Sequence, residues 1–272
     1  NVEFNASNLK PNTRYYQFLD NRSGVDVVPK LIEISNNAQL TGNGASAAFT
    51  IGETVVGTVN GQERIRFRLA RPDHKTGAFA SPSATYNQNP YTKSSIGSSY
   101  SSTSEILNVD ISSLKRISQG KFRGYIQTGM QLVGQTSGAI AFVKDSRLIS
   151  DNFGDLNGSF FIRNPLQTPK PDVRIRTGTK TYKLTSSSTN DSGIPGSNSI
   201  SFAETNYTAN ASILQFQATV TSQTTRTNIS NTVNLNLSNR IRVAYSDPLA
   251  QTFTVGGNIQ VKSDIDTDDD VN

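Results

Sequence analysis

The sequence predicts an all-β fold: several small β-sandwich or barrel-like units joined by polar loops, with an extended C-terminal segment. Three observations predict it. Apolar residues recur mostly with a period of two, and short apolar runs are bounded by Gly, Pro and Asn. Ser, Thr, Asn and Gln together supply roughly 37% of the 272 residues, while Leu is scarce. The same composition excludes whole classes of function. With no Cys there is no disulfide framework, no thiolate zinc site and no cysteine nucleophile. No window approaches the ~18 apolar residues of a helical bilayer span, so no membrane partner is expected. The chain starts at Asn1 without Met and ends on an acidic run, the form expected of a piece of a longer polypeptide.

The elements follow in chain order. Leu9-Lys10-Pro11-Asn12-Thr13-Arg14-Tyr15 has the Leu-x-Pro-x-Thr-x-Tyr form of a sandwich turn leading into a strand. It predicts a Tyr15 ring packed in the core with its hydroxyl on nearby backbone. Val55 to Leu69 reads as two strands around Asn60-Gly61, a pair that tolerates the positive φ of a type I′ turn. Tyr125 to Val133 and Ala139 to Val143 read as a second pair, parted by Gly134-Gln135-Thr136-Ser137-Gly138. Phe160 to Ile162, Val173 to Ile175, Thr181 to Leu184, Ile213 to Val220, Val233 to Leu237, Ile241 to Tyr245 and Thr252 to Val255 continue the pattern. Phe202 to Thr219 has alanines that could line a helix, but its β-branched, Asn-rich continuation favours an extended segment.

Polar stretches at Ser81 to Ser104 and Ser186 to Ser199 suggest boundaries. The predicted organisation is an N-terminal β segment (1–46), a hairpin unit (47–86), a polar linker (87–104), a central β unit (105–190) and a β-rich connector (191–272) leading to a further C-terminal domain. Gly52-Glu53-Thr54-Val55-Val56-Gly57 and Gly129-Met130-Gln131-Leu132-Val133-Gly134 share a Gly-x-x-x-Val-Gly frame. The frame is a faint sign of internal duplication.

The net charge is +5 and the pI near 9.4. The basic residues are nevertheless dispersed, and no RNP, KH or zinc-finger spacing accompanies them, so no nucleic-acid partner is expected. The densest set, Arg64, Arg66, Arg68 and Arg71, alternates with Ile65, Phe67 and Leu69, which puts arginines on one face of a strand. That face is either solvated or an interface with an acidic neighbour. His74, the single imidazole, follows Arg71-Pro72-Asp73 and reads as a solvated loop residue; no Gly-x-Ser-x-Gly elbow is present to make a triad. Asp145, Asp151 and Asp155 form the one central carboxylate cluster suited to glycoside hydrolysis, but the Asp/Asn/Gly content of Asp151 to Gly158 favours turn chemistry. Asp264, Asp266, Asp268, Asp269 and Asp270 have calcium-loop spacing without the turn glycine, and read better as an acidic linker. No catalytic residue, cofactor or metal ligand is therefore assigned.

Several blocks give a resemblance: Leu9 to Asp20, Phe49 to Gly57, Leu132 to Ala139, Arg176 to Thr185, and Asp247-Pro248-Leu249-Ala250-Gln251-Thr252-Phe253-Thr254-Val255. Together they resemble virion structural proteins of contractile-tailed bacteriophages, in particular baseplate and tail-fibre-associated proteins of cyanophage-like myoviruses. The resemblance implies a non-enzymatic virion component connecting baseplate subunits to tail fibres or neighbouring proteins. It would work as a homo-oligomer, trimeric or of other symmetry. Expected contact elements are Arg64 to Arg71, the extended segment Phe202 to Leu237 and the Ser-rich loop Tyr91 to Ser104. The alternatives are a receptor-binding or polysaccharide-degrading tailspike, which would use Asp151 or Asp155, and a bacterial surface adhesin module.

Overall fold

A computed structural model of the chain describes residues 1–36, 46–115, 120–163, 178–193, 199–209, 241–244 and 252–255. The fold is nearly all β. Among the described residues there are strands and one 3-10 turn, Ile111–Ser113, but no α-helix. Residues 1–209 form one compact unit and residues 210–272 a second.

The first unit is organised by a seven-stranded antiparallel sheet. In spatial order its strands are β10 (Arg123–Gly124), β6 (Gln62–Arg68), β5 (Thr54–Val59), β11 (Gln131–Gly134), β12 (Ile140–Asp145), β4 (Leu31–Asn36) and β9 (Ile106–Asn108). Asn60 and Gly61 have φ of 50° and 74°, the two positive values a type I′ hairpin between β5 and β6 requires. Period-two alternation turns Val55, Ile65, Phe67, Leu132, Ala141, Val143, Ile32 and Ile34 to one face, where they form the main core. The arginines of β6 lie on the other face, as the alternation predicts.

The two Gly-x-x-x-Val-Gly frames meet at the centre of this sheet. β5 pairs with β11 so that Val56 opposes Val133, Val55 opposes Gly134 and Gly57 opposes Leu132. Each position thus faces its counterpart's mirror position, which is the pairing a local two-fold axis between Val56 and Val133 generates. The hydrogen bonds repeat as well. Glu53 N donates to Thr50 O as Met130 N donates to Gln127 O, both at 3.1 Å. Gly52 N reaches Leu69 O as Gly129 N reaches Val143 O, both at 2.8 Å. A Cβ on Gly57 would fall 2.6 Å from the Met130 sulfur, and a Cβ on Gly134 would fall 2.7 Å from the Glu53 carboxylate. Glu53 and Met130 are equivalent positions of the frame, so each fills the space its partner's glycine leaves. The weak sequence echo is an internally symmetric pair of hairpins.

The halves differ at their turns. β5–β6 closes in two residues, whereas β11–β12 closes through Gln135 to Ala139, whose backbone needs an anion. Glu53 supplies it. Its buried carboxylate accepts from Thr136 N and Ser137 N, both at 3.0 Å, from the Ser137 hydroxyl and from Thr50 N. Consecutive amides converging on an oxyanion form a nest, here filled from within the chain.

Two smaller sheets lie in the same unit. One is β1 (Val2–Ala6), β14 (Leu156–Phe161) and β3 (Asp26–Pro29); the other is β13 (Leu148–Ile149), β2 (Arg14–Leu19), β15 (Gly178–Thr185) and β16 (Phe202–Ala209). Aromatic rings join them: Phe160 stacks on Tyr182 at 4.6 Å between centroids, Phe4 lies 5.3 Å from Tyr182, and Tyr207 meets Phe160 edge-on. Tyr15 behaves as its motif predicts. Its ring is buried, and its hydroxyl accepts from Lys10 N at 2.9 Å. An outlying two-stranded hairpin, β7 (His74–Ala78) and β8 (Ser81–Thr85), is exposed along most of its length.

The stretches read as units in series are interleaved in space. The seven-stranded sheet draws β4 from 1–46, β5 and β6 from 47–86, and β9 to β12 from 105–190. The reason is burial: a single hairpin covers too little apolar surface to stand alone. The polar stretch 87–104 is likewise packed rather than a linker. Tyr86 and Tyr100 are buried, and the Tyr91 hydroxyl donates to Leu31 O. In the second unit β17 (Ile241–Ala244) and β18 (Thr252–Val255) pair antiparallel, within the Ile241 to Tyr245 and Thr252 to Val255 runs. The strands expected at Val173 to Ile175, Ile213 to Val220 and Val233 to Leu237, and the acidic run Asp264 to Asp270, lie outside the described residues.

Candidate functional site

Three places could carry function: the arginine strand, the charged base of the β7–β8 hairpin, and the outer edge of β16. On the first, the structure places an acidic partner of the same chain beside three of the four arginines. Arg66 makes a two-pronged contact with Glu63, at 2.7 and 3.1 Å. Arg68 bonds Asp110 at 2.7 Å and lies over the Phe79 ring, and Arg71 grips Asp73 at 2.6 and 2.9 Å. Arg64 bonds Gln62. The Arg66 hydrogen bond holds the Glu63 carboxyl below the usual carboxylate range. The strand therefore presents a row of ion pairs rather than bare positive charge. Glu63 and Asp73 are local neighbours, three and two residues from their arginines, whereas Asp110 arrives from 42 residues along the chain.

At the hairpin base the chain concentrates its buried charge. Lys75 Nζ lies 2.7 Å from Asp151 and 2.5 Å from Asp155, between the Tyr86 and Phe153 rings. Burial alone would lower the Lys75 ammonium, but its bonds to the two carboxylates outweigh that and hold it above the usual lysine value. Asp151 also accepts from Phe153 N and Asp155 N, the turn chemistry expected of this segment. The Asp151 and Asp155 carboxylates, for which the sequence favours turn chemistry over a hydrolytic role, are thus brought together, but around an ammonium. The space beside them is about 20 Å³, room for a water and not for a sugar ring. Asp145 stands apart, ion-paired with Arg147.

His74 corrects an expectation. It is 5% exposed rather than solvated. Its Nε2 lies 3.1 Å from Gly77 O, which fixes the proton there and turns the Nδ1 lone pair to Lys30 Nζ at 2.9 Å. Lys30 donates also to Asn108 Oδ1 at 3.1 Å and Val109 O at 3.0 Å. Burial, opposed by the charges of Asp110 and Glu3, lowers the Lys30 ammonium to about 8. Burial and then the Lys30 charge lower the His74 imidazole. No local signal in the sequence could have revealed this cluster, because Lys30 and Asn108 are 78 residues apart.

The β16 edge is the third place. β15 and β16 pair over eight residues without a register shift, from Gly178 opposite Ala209 to Thr185 opposite Phe202. Ser186 N bonds Ser201 O in the same register, and Asp20 N bonds Thr181 O on the other side of β15. Antiparallel bonding alternates, so Ala203, Thr205 and Tyr207 face β15 while Phe202, Glu204, Asn206 and Thr208 turn their N–H and C=O groups outward. Among the described residues no strand pairs with that side. The Ser-rich loop adds a polar hollow of about 390 Å³ lined by residues that include Asn89, Ser94, Ser101, Thr103 and Glu105. No group of three or more metal-ligating side chains is found among the described residues. Compared with known proteins, the chain matches no protein-family model, no curated protein and no solved structure.

Proposed function

We propose that the chain is a non-enzymatic structural component of a contractile phage tail, connecting baseplate or fibre neighbours through strand addition. The observation that carries this reading is the β16 edge. It is long and regular, has no proline or bulge, and bears a single charge, Glu204. Edges of this kind are templates for another strand, and proteins that do not use them usually protect them. The resemblance of the Phe49 to Gly57 and Leu132 to Ala139 blocks to tail proteins supports the virion setting. Their pairing through Glu53 gives the two blocks one shared structural role. Self-association along β16 would make a two-fold contact, and addition of a different protein's strand would make a heterologous one.

The test uses an edge-specific change. Asn206→Pro removes an outward N–H while leaving the backbone bonds to β15 intact, at the loss of one exposed side-chain bond from the Thr181 hydroxyl, because proline is tolerated on the free side of an edge strand. The variant should fold normally and fail to join assembled tails. In cross-linked, digested virions, Lys180 on β15 and exposed Lys121 should carry peptides of neighbouring tail proteins. Wild-type incorporation of Asn206→Pro would refute the edge as the contact. A chain that copurifies with no virion would refute the phage reading.

A further inference from the structure

The buried Lys30–His74–Asn108 cluster has more than a packing geometry. We infer that it is a self-reacting site in which Lys30 Nζ attacks the Asn108 carboxamide, forming an intramolecular isopeptide bond between the β3–β4 bend and β9 with release of ammonium. The observations behind this are the positions of the three reacting parts, the route for protons and the fit of the leaving group.

Nucleophile and electrophile are in reach. Nζ is 3.1 Å from Asn108 Oδ1, and a carbonyl bond is about 1.2 Å, so Nζ lies roughly 3.3–4.3 Å from Cγ, close to the ~3–3.5 Å of a reactive arrangement. Both side chains are held. Lys30 is 5% and Asn108 0% exposed, and the backbones join where Val109 N donates to Lys30 O at 2.8 Å. The amide orientation is settled by its partners: Nδ2 donates to Pro72 O at 2.9 Å and His74 O at 2.7 Å, which leaves Oδ1 for the ammonium.

The base is in place. With its proton on Nε2, His74 presents the Nδ1 lone pair directly to Nζ. Desolvation already favours the neutral amine, the means by which buried lysines become nucleophiles. His74 Nδ1 takes one proton from the ammonium, and the amine lone pair adds to Cγ to give a tetrahedral carbon. As that carbon collapses, the Cγ–Nδ2 bond breaks. Nδ2 leaves with the proton from His74 and the second proton shed by Nζ, so one ammonium and one secondary amide are formed. No oxidant or activated co-reactant is required. The carbonyls of Pro72 and His74 that hold the Nδ2 hydrogens are the acceptors a departing ammonium needs. Burial of both side chains limits access of the bulk water that would compete by hydrolysis. In a chain without cysteine the bond would tie residue 30 to residue 108 covalently.

The test is a weighing. The 272-residue chain, held folded at pH 8 and then denatured, should be one ammonia lighter than its sequence, with a branched peptide joining residues 30 and 108 after digestion. Lys30→Met and Asn108→Ala should each show their full sequence mass. Asn108→Asp should lose water instead and reach the same mass as the cross-linked wild type. His74→Asn should slow the mass change at least tenfold. Full sequence mass in the wild type after prolonged folded incubation would overturn the inference. So would an ammonia loss that persists in Lys30→Met, the mark of a succinimide at an Asn-Gly pair such as Asn60-Gly61.

Discussion

Replacing Glu53 tests whether the central hairpins are locked by one carboxylate. In the wild type four donors converge on it: the amides of Thr50, Thr136 and Ser137 and the Ser137 hydroxyl. Thr50 and Thr136 border solvent, so water can replace part of their bonding in Glu53→Ala. The Ser137 amide and hydroxyl are buried, and each would be left unsatisfied at about 1–3 kcal/mol. The expected loss is about 2–6 kcal/mol, a large share of the stability of an ordinary domain. Glu53→Gln is the sharper variant. Its cheapest orientation keeps the carbonyl on Thr136 and Ser137 but turns the NH2 against Thr50 N–H, which in the wild type donates at 2.6 Å. That collision of donors should cost about 1–3 kcal/mol although shape is conserved. Urea unfolding of both variants, with Ser137→Ala completing a double-mutant cycle, measures the coupling. Stability of Glu53→Gln within about 0.5 kcal/mol of wild type, with no coupling to Ser137, would refute the lock.

Other outcomes follow from the same contacts. Gly57→Ala forces a Cβ to 2.5 Å from Ile65 and 2.6 Å from Met130, so about 1–3 kcal/mol should be lost in urea titration, with part of it restored by adding Met130→Ala. Lys75→Met leaves Asp151 buried opposite Asp155 without a cation, and about 2–4 kcal/mol of destabilisation is expected by thermal unfolding. The raised Lys75 value makes its contribution fully present below the unfolded lysine value, near 10.5, and lost as pH climbs through the higher folded value. His74 runs the other way. Its folded value is lowered, so the unfolded chain takes up a proton first and stability falls as pH drops below about 6.5. His74→Asn should flatten that part of a stability-versus-pH curve.

Legibility in the sequence tracked how local each determinant is. The β5–β6 hairpin could be read because Asn60-Gly61 carries its own backbone preference, and Tyr15 because turn and ring lie within one short motif. β7 and β8 were hidden: both faces of that hairpin meet solvent, so no apolar alternation marks it. The stretch 87–104 reads as a linker because serines dominate it, yet Tyr91 and Tyr100 within it, and Tyr86 just before it, pin it down. Charged residues were the least readable. The alternation shows the arginine face, whereas Asp110, which neutralises Arg68, comes from 42 residues away and Lys30, the partner of buried His74, from 44. The Gly-x-x-x-Val-Gly echo is the converse case, a weak pattern whose meaning needed the register of β5 on β11.

Two hairpins built to one plan also bear on the order in which the chain assembles. Each closes over a short span, on the microsecond scale of isolated hairpins, so the middle of the large sheet has two local starting points, although the β11–β12 turn is completed only when Glu53 reaches it from beside β5. β4 and β9 must instead be recruited across long stretches of chain, which carries the loop-closure entropy that slows β proteins. The rate-limiting event is therefore expected at the flanks of the sheet. Substitutions there should slow folding, while substitutions in the twin hairpins, formed before that barrier, should also register in the folding rate and leave unfolding nearly unchanged.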